Sequence, residues 1–558
     1  MNCERILSAL DTHARDRSNE PFLTLIKGES RVDYSFSDFR VQSLRFANSY
    51  HKAGIRPGRV VFIVLRHCAE LYFSFVGAMY HGAIPSFLPF PTPKQDADLY
   101  WAAHEELFKL VQPDAIITYS ENIGAIRAAC GDLNVSIIDI ADLDISTAAE
   151  PSGREGYDDI AFLQHSSGTT GLKKGVMLSY GKIATQIQSY SAAIGLGPRD
   201  TIVSWLPLYH DMGLIACMIT PITVGARLVS IDAFEWVSRP ASLLEAIETY
   251  GGNFTWMPNF AFNLIAQTWR PKNEKLPDLS SLKGLISCSE PCKAETFERF
   301  YSTFANCGLR NEALRTCYAM AETVFAVTQS STETTPRILH IDRHLLETEE
   351  KIALLDSNSE HAATFLSNGP AINGLKLRLK TQAGYEYDQA NSHRSGEIQI
   401  AGTFLFDGYY LNAAATDSAM DGEFYSTGDI GFFHEGELYI CGRAKEMLIV
   451  NGRNYYANDI EEAVNSVENL KRGRNVAFAV FEPRTQSEVA IVVAETEITD
   501  KQARLNLQSS IKSTVFSRLE LTLQKVVLVE PGWLVKTTSG KISRKENLNR
   551  YLATQNIA

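Results

Sequence analysis

The sequence predicts an α/β protein. Its expected form is a large N-terminal domain of parallel α/β layers with a β-rich subdomain, followed by a small α+β domain. Three observations carry this. Short apolar runs bounded by turn residues alternate with helical periodicity through most of the chain, as strands covered by helices do. Around Gly396–Tyr410 the texture changes to short strands and glycines. Near Gly442-Arg443-Ala444-Lys445 the pattern restarts, leaving a final module of about 110 residues, near the lower end of domain sizes.

Taken in order, Val60–Leu65, Ala115–Thr118, Ile160–Leu163 and Thr201–Trp205 read as strands. The two most apolar stretches are Val60–Phe90, broken by Arg66, His67 and Glu70, and Gly213–Ser230, broken by Pro221 and Arg227. Neither offers the ~20 clean apolar residues of a spanning helix, so both are expected as buried strands and helices. Beyond the restart, Asp459–Val467 and Lys501–Arg518 read as helices, and Asn475–Phe481, Glu488–Thr496 and Lys525–Val529 as strands. The expected domains are residues 1–441 and 442–558, with a hinge near 443–446.

Composition narrows the function. A chain of 558 residues exceeds one ordinary core and calls for two or more domains. With 45% apolar and 21% charged residues it is a normal globular chain rather than a disordered one. A net charge of −12 argues against a nonspecific nucleic-acid binder. Met1–Arg17 carries Glu4, Asp11, Arg15 and Arg17 and lacks the apolar core of a signal peptide, so a cytoplasmic location is expected. The nine cysteines include no C-x-x-C pair. The closest two, Cys288 and Cys292, have no second ligand pair beside them and read as thiols of a reducing compartment rather than as metal ligands.

The segment that carries chemistry is the eleven-residue run Ser166-Ser167-Gly168-Thr169-Thr170-Gly171-Leu172-Lys173-Lys174-Gly175-Val176, which follows the apolar strand Asp159–Leu163. Its glycines let backbone amides turn inward as an anion nest. The hydroxyls of Ser166, Ser167, Thr169 and Thr170 add donors, and Lys173 and Lys174 add positive charge. This is chemistry for a polyphosphate, without the G-x-x-x-x-G-K-[ST] spacing. A shorter Gly-Ser-Thr stretch would read as a surface loop. Here length, position after a strand and the Lys-Gly-Val ending favour phosphate binding.

Further segments are individually bland: Tyr318-Ala319-Met320-Ala321-Glu322, Tyr425-Ser426-Thr427-Gly428-Asp429, Gly442-Arg443-Ala444-Lys445-Glu446, Ser287-Cys288-Ser289-Glu290-Pro291 and Lys536-Thr537-Thr538-Ser539-Gly540-Lys541. Alone they read as a core tyrosine, a turn, surface charges and a solvated lysine. Together with the phosphate run they resemble the motifs of the adenylate-forming superfamily, which includes acyl-CoA synthetases, firefly luciferase and peptide-synthetase adenylation domains. The resemblance spans nearly the whole chain. It implies ATP and Mg²⁺ as cofactors. Gly168, Thr169, Thr170, Gly171 and Lys174 would hold phosphate. Tyr318, flanked by Ala319 and Met320, would stack on adenine, with Glu290 and Pro291 in the adenine loop. Glu322 and Thr170 would bind Mg²⁺, because a hard cation bridging phosphates needs oxygen ligands. Asp429 would take the ribose hydroxyls, and Arg443 ribose or phosphate. Lys445 would be the pivot of the small domain and Lys541 the catalytic lysine, meeting charge that builds at the α-phosphate. The sequence departs from the family pattern at Lys173, where proline is usual, and at Cys288, Ala319 and Ala457.

Trp205-Leu206-Pro207-Leu208-Tyr209-His210-Asp211-Met212-Gly213-Leu214, Pro258-Asn259-Phe260-Ala261-Phe262 and Gly452–Glu461 resemble segments of fatty acyl-AMP ligases in particular. His210 would then gate the nucleotide and acyl pockets, without serving as a base, since a carboxylic acid is already ionised at neutral pH. A structural core histidine is the alternative. The stretch Ile338–Ala363 is longer than in most acyl-CoA synthetases, and acyl-AMP ligases carry an insertion near there; a variable surface excursion is the other reading. The implied reaction joins a fatty or related carboxylic acid to AMP, then transfers the acyl group to the phosphopantetheine of an acyl carrier protein. The chain runs 17 residues past Lys541, so the carrier is expected in trans. An acyl-CoA or aryl-CoA synthetase is the alternative enzyme, and a non-catalytic nucleotide-binding homologue the alternative of another class. No nucleic acid and no transmembrane segment are expected.

Overall fold

The apolar runs of the first half become strands buried on both faces, which is why they read as continuous runs rather than as alternation. Val60–Ile63, Ala115–Thr118, Thr201–Ser204, Phe254–Met257 and Gly284–Ser287 are buried at every position. The computed structural model describes residues 5–91, 97–148, 155–166, 174–270, 276–386, 390–450, 453–482, 487–537 and 541–555. The chain divides into two units, Met1–Ile338 with Leu366–Leu377 and Ile400–Tyr425, and Leu339–Phe365 with Arg378–Gln399 and Ser426–Ala558.

The first unit holds two larger sheets. One runs Ala326–Gln329, Leu314–Ala319, Gly284–Ser287, Phe254–Met257, Thr201–Ser204, Arg227–Ile231, Pro21–Lys27 and Ser30–Ser35. Its interior pairs are parallel and its two outermost pairs antiparallel. The other is wholly parallel, in the order Ile84–Phe87, Val60–Ile63, Ala115–Thr118, Ser136–Asp139. The stretch Gly213–Ser230 is buried as expected, as a helix followed by the strand Arg227–Ile231. The first part of that helix, Met212–Ile219, is wound as a π-helix and buried at every residue. Gly213 explains the close fit there: a Cβ on it would lie 2.2 Å from the Pro207 carbonyl oxygen. Among the described residues no helix is long and apolar enough to cross a membrane.

In the second unit, Phe424–His434 pairs antiparallel with Glu437–Arg443, with Asp429 opposite Arg443. The stretch from Ile338 forms a strand to Asp342, a helix Arg343–Glu349 and a strand Ala362–Leu366. Ile341 and Leu346 bury beside Phe432 and Tyr439. The C-terminal elements follow the expected boundaries within two residues: helices Ala457–Asn465 and Lys501–Leu519, strands Asn475–Glu482, Ser487–Glu495 and Lys525–Val529. Their shared core includes Ile460, Val464, Val492, Ile511 and Val515. Arg453 joins two parts of this unit, donating to Glu347 at 2.7 Å and to Glu520 at 2.9 Å. Burial outweighs that ion pair and pushes Glu347 up to about 7.

Candidate active site

In the first unit, strand Ile160–Ser166 pairs antiparallel with Lys174–Ser179, and Ser166 faces Lys174 across the pair. The ends of the eleven-residue run are therefore strand, not loop. Ser167, Gly168, Thr169, Thr170 and Gly171 lie outside the described residues. Lys174 is fixed by its strand, and its ammonium sits 4.5 Å from the centre of the Tyr409 ring, a cation–π contact.

The Tyr409 hydroxyl donates to Glu322 Oε1 at 2.8 Å and lies 3.3 Å from the Tyr425 hydroxyl. Glu322 occupies a single 3₁₀ turn, Ala321–Thr323, just after the strand Leu314–Ala319 that carries Tyr318. The Phe406 amide holds the Glu322 carbonyl at 2.8 Å. The turn closes on Val324, a fully buried β-branched residue at φ 64°, a conformation such residues avoid. Glu322 is buried, and desolvation raises its pKa against the pull of the two tyrosine hydroxyls, with the charge of Asp211 adding to the rise. Tyr409 is a site residue that the sequence reading missed. Its signal there was no more than an aromatic in a glycine-rich stretch, and its role depends on the chain returning to Glu322 from 87 residues away.

Tyr318 is buried, followed by Ala319 and by Met320, whose amide donates to the Phe325 carbonyl at 2.9 Å. Glu290 accepts from the Phe260 amide at 3.1 Å, at the start of helix Asn259–Thr268, where a carboxylate suits the helix dipole. Pro291 is exposed beside it. Behind this loop, Cys288, Cys292 and Cys317 gather. The Cys292 thiol donates to the Ser287 carbonyl, and burial pushes it up to about 12; Cys317 is raised by the same cause. Among the described residues no group of three His, Cys, Asp or Glu could hold a metal ion. His210 is half-buried with its ring 4.8 Å from that of Tyr209. Gln164, two residues before Ser166, donates to the Tyr209 carbonyl at 3.1 Å and so ties the strand Ile160–Ser166 to the chain entering His210.

In the second unit, Asp429 is buried and accepts from Arg443 Nε at 3.0 Å, the cross-strand neighbour that its register dictates. Gly428, at φ 74°, turns its amide to Glu397 at 3.1 Å, and Thr427 caps the Asp429 amide at 3.0 Å. This leaves a rigid carboxylate with one oxygen bonded to a half-exposed guanidinium. Lys445 is exposed in the turn Ala444–Glu446. Glu446 of that turn pairs with Arg544, which also holds Glu461, both at 2.7 Å. Lys541 is exposed, and its carbonyl accepts from the Thr537 amide at 2.7 Å.

The family profile described as AMP-binding enzyme matches residues 10–410. This chain belongs to the AMP-binding enzymes. A second profile, the AMP domain of Disco-interacting protein 2-like proteins, matches residues 445–557. The chain is 30% identical to the long-chain-fatty-acid–AMP ligase FadD26 of Mycobacterium bovis, over 89% of its length and 87% of the relative's. It is 28% identical to the putative fatty-acid–CoA ligase fadD25 of Mycobacterium tuberculosis, over 97% and 96%. A structure solved in studies of fatty acyl-adenylate ligases from E. coli and L. pneumophila superposes with a TM-score of 0.89 at 25% identity, covering 99% of this chain and 98% of that one. Membership fits the chemistry of the site. A buried carboxylate hydrogen-bonded by hydroxyls suits one protein ligand to a hard cation whose other ligands are phosphate oxygens and water.

Proposed function

We propose that this chain is a fatty acyl-AMP ligase. It joins a fatty or related carboxylic acid to the AMP of ATP with release of pyrophosphate, and passes the acyl group to the phosphopantetheine thiol of an acyl carrier protein supplied in trans. The observation that carries the reading is the buried Glu322, held by Tyr409 with Lys174 lying over the same ring. The names of FadD26 and of the superposed acyl-adenylate ligase structure support the acid class.

In this reading Lys174, with the hydroxyl of Thr170, steadies the polyphosphate. Tyr318, Ala319, Met320, Glu290 and Pro291 form the adenine wall, and Asp429 and Arg443 hold the ribose side. Glu322 and Thr170 would hold Mg²⁺, which supplies charge neutralisation on phosphate oxygens. Phosphoryl chemistry rests on positioning and charge stabilisation, so the protein's contribution is to fix these groups and to bring Lys541 to the carboxylate and α-phosphate. His210 stands between the nucleotide and the acyl chain. Residues 442–558 then turn about Lys445, withdrawing Lys541 and admitting the thiol.

Acid-dependent exchange of pyrophosphate into ATP tests the first step. Thioester formation on a pantetheinylated carrier, compared with formation on CoA, tests the second. Exchange with a fatty acid and faster transfer to the carrier is the expected result. The resemblance to a named fatty-acid–CoA ligase favours a second reading, and rapid acyl-CoA formation would establish it in place of the first. No exchange with any acid would point to a nucleotide-binding homologue without catalysis.

A further inference from the structure

Lys174 and Glu322 are groups of opposite charge that share one aromatic ring. The Lys174 ammonium lies 4.5 Å from the centre of the Tyr409 ring, and the Tyr409 hydroxyl donates to Glu322 Oε1 at 2.8 Å. Among the described residues no ion pair joins the two. Their chemistry favours one. A lysine ammonium rides on a flexible four-carbon stem, and a buried carboxylate gains from a cation because little water screens the attraction. Once paired, neither group would be left for a third charge.

The ring between them is fixed from several directions. Residues 406–410 add to the edge of the strand Lys174–Ser179. The Met177 amide donates to the Gly408 carbonyl and the Asp407 amide to the Met177 carbonyl, both at 3.0 Å, and the Tyr410 amide donates to the Gly175 carbonyl at 2.8 Å. The Asp407 carboxylate reinforces the join, accepting from Lys182 at 2.7 Å and from the Ser179 amide at 2.9 Å. The Phe406 amide donates to the Glu322 carbonyl at 2.8 Å. Five consecutive residues therefore grip both the strand that carries Lys174 and the turn that carries Glu322. The Tyr409 side chain is buried, and the Phe406 ring packs on it with centres 4.9 Å apart, which sets its plane.

We propose that Tyr409 is a positioning residue whose ring acts as a spacer, keeping Lys174 and Glu322 from neutralising each other. An arriving phosphate-class anion then has to draw the ammonium only from a cation–π contact, which is worth less than an ion pair with a buried carboxylate. The carboxylate stays where the tyrosine hydroxyl holds it. This rests on the ligase reading only in taking Lys174 and Glu322 as the groups that meet phosphate and cation.

Equilibrium binding of inorganic pyrophosphate to the full chain, with no divalent cation present, tests this without turnover. Tyr409→Phe keeps the ring and should hold affinity within about twofold, whereas Tyr409→Leu removes the ring and should weaken binding about tenfold. Glu322→Gln added to Tyr409→Leu should recover that loss of about tenfold, and should change affinity far less when made alone. A crystal structure of the Tyr409→Leu variant should place Lys174 Nζ within about 4 Å of the Glu322 carboxylate. Equal loss in Tyr409→Phe and Tyr409→Leu would assign the effect to the hydroxyl and overturn the proposal. An equal gain from Glu322→Gln with and without the ring would also overturn it, since a cavity or a loosened fold gives no selective recovery. Tyr409→Met takes the place of Tyr409→Leu in the same comparisons if the leucine variant has a lowered melting temperature. No pyrophosphate binding by the unsubstituted protein would count against the ligase reading. The crystal structure of the ringless variant would then decide the inference by itself: a Lys174–Glu322 pair supports it, and continued separation overturns it.

Discussion

Glu322 is ionisable, buried, and hydrogen-bonded by the Tyr409 hydroxyl. Its pKa is raised, so in the folded chain without a bound cation it holds a proton longer than in the unfolded chain. The stability it contributes is full below the ordinary carboxylate value and is lost as pH rises through the raised one. Glu322→Gln should remove that part of the pH dependence of the melting temperature and leave the fold at least as stable. It should also lower pyrophosphate exchange by about 100-fold, through loss of the charge that would meet Mg²⁺ in the proposed reading. Lys541→Ala, at an exposed position, should lower exchange by at least about 100-fold with no change in melting temperature. Residues of this kind differ in how well the sequence shows them. Lys174 and Asp429 stand in short motifs whose neighbours are fixed by adjacent strands, so chain order exposes them. Tyr409 reaches Glu322 by tertiary return, and no local pattern announces that.

Elements were legible where burial is uniform. Val60–Ile63 and Ala115–Thr118 are apolar at nearly every position because both faces are buried, and their boundaries follow from composition. Ser30–Ser35 is exposed or half-buried throughout and carries no such signal. The π-winding of Met212–Ile219 has no sequence signature, since a segment buried all round shows no face. Gly213→Ala should drive a methyl into the Pro207 carbonyl, costing about 1–3 kcal/mol of stability and shifting the Trp205–Asp211 segment enough to depress exchange. Chemical denaturation and exchange rates would check both. The Glu347–Arg453–Glu520 contact was hidden for the same reason as Tyr409. Glu347, raised to about 7, favours its buried place more when protonated. Stability should therefore fall as pH rises from the ordinary carboxylate value through about 7, and Glu347→Gln should flatten that fall in a melting series.

Across the whole molecule, the sequence places a restart near residue 442 because the residues beyond it carry their own alternation of apolar strands and helices, whereas the chain's two units divide elsewhere. The capture of 339–365, 378–399 and 426–441 by the second unit was not readable, since those segments join it through contacts distant in sequence. If residues 442–558 turn about Lys445, then Lys445→Pro, which locks φ, should spare acyl-adenylate formation and slow thioester formation by about tenfold or more. Measuring the two half-reactions separately would show it; equal loss in both would argue against a pivot there.

The thiol behind the loop 287–291 gives a reporter that needs no substrate. Cys317 is buried and its thiol is held protonated, so an alkylating reagent can reach it only in molecules whose surroundings have momentarily opened. Labelling speed then measures how often those surroundings breathe. If this loop forms the adenine wall, as proposed, ATP should slow labelling at Cys317 while leaving Cys130 unaffected, which would make mass-resolved alkylation a direct readout of nucleotide occupancy.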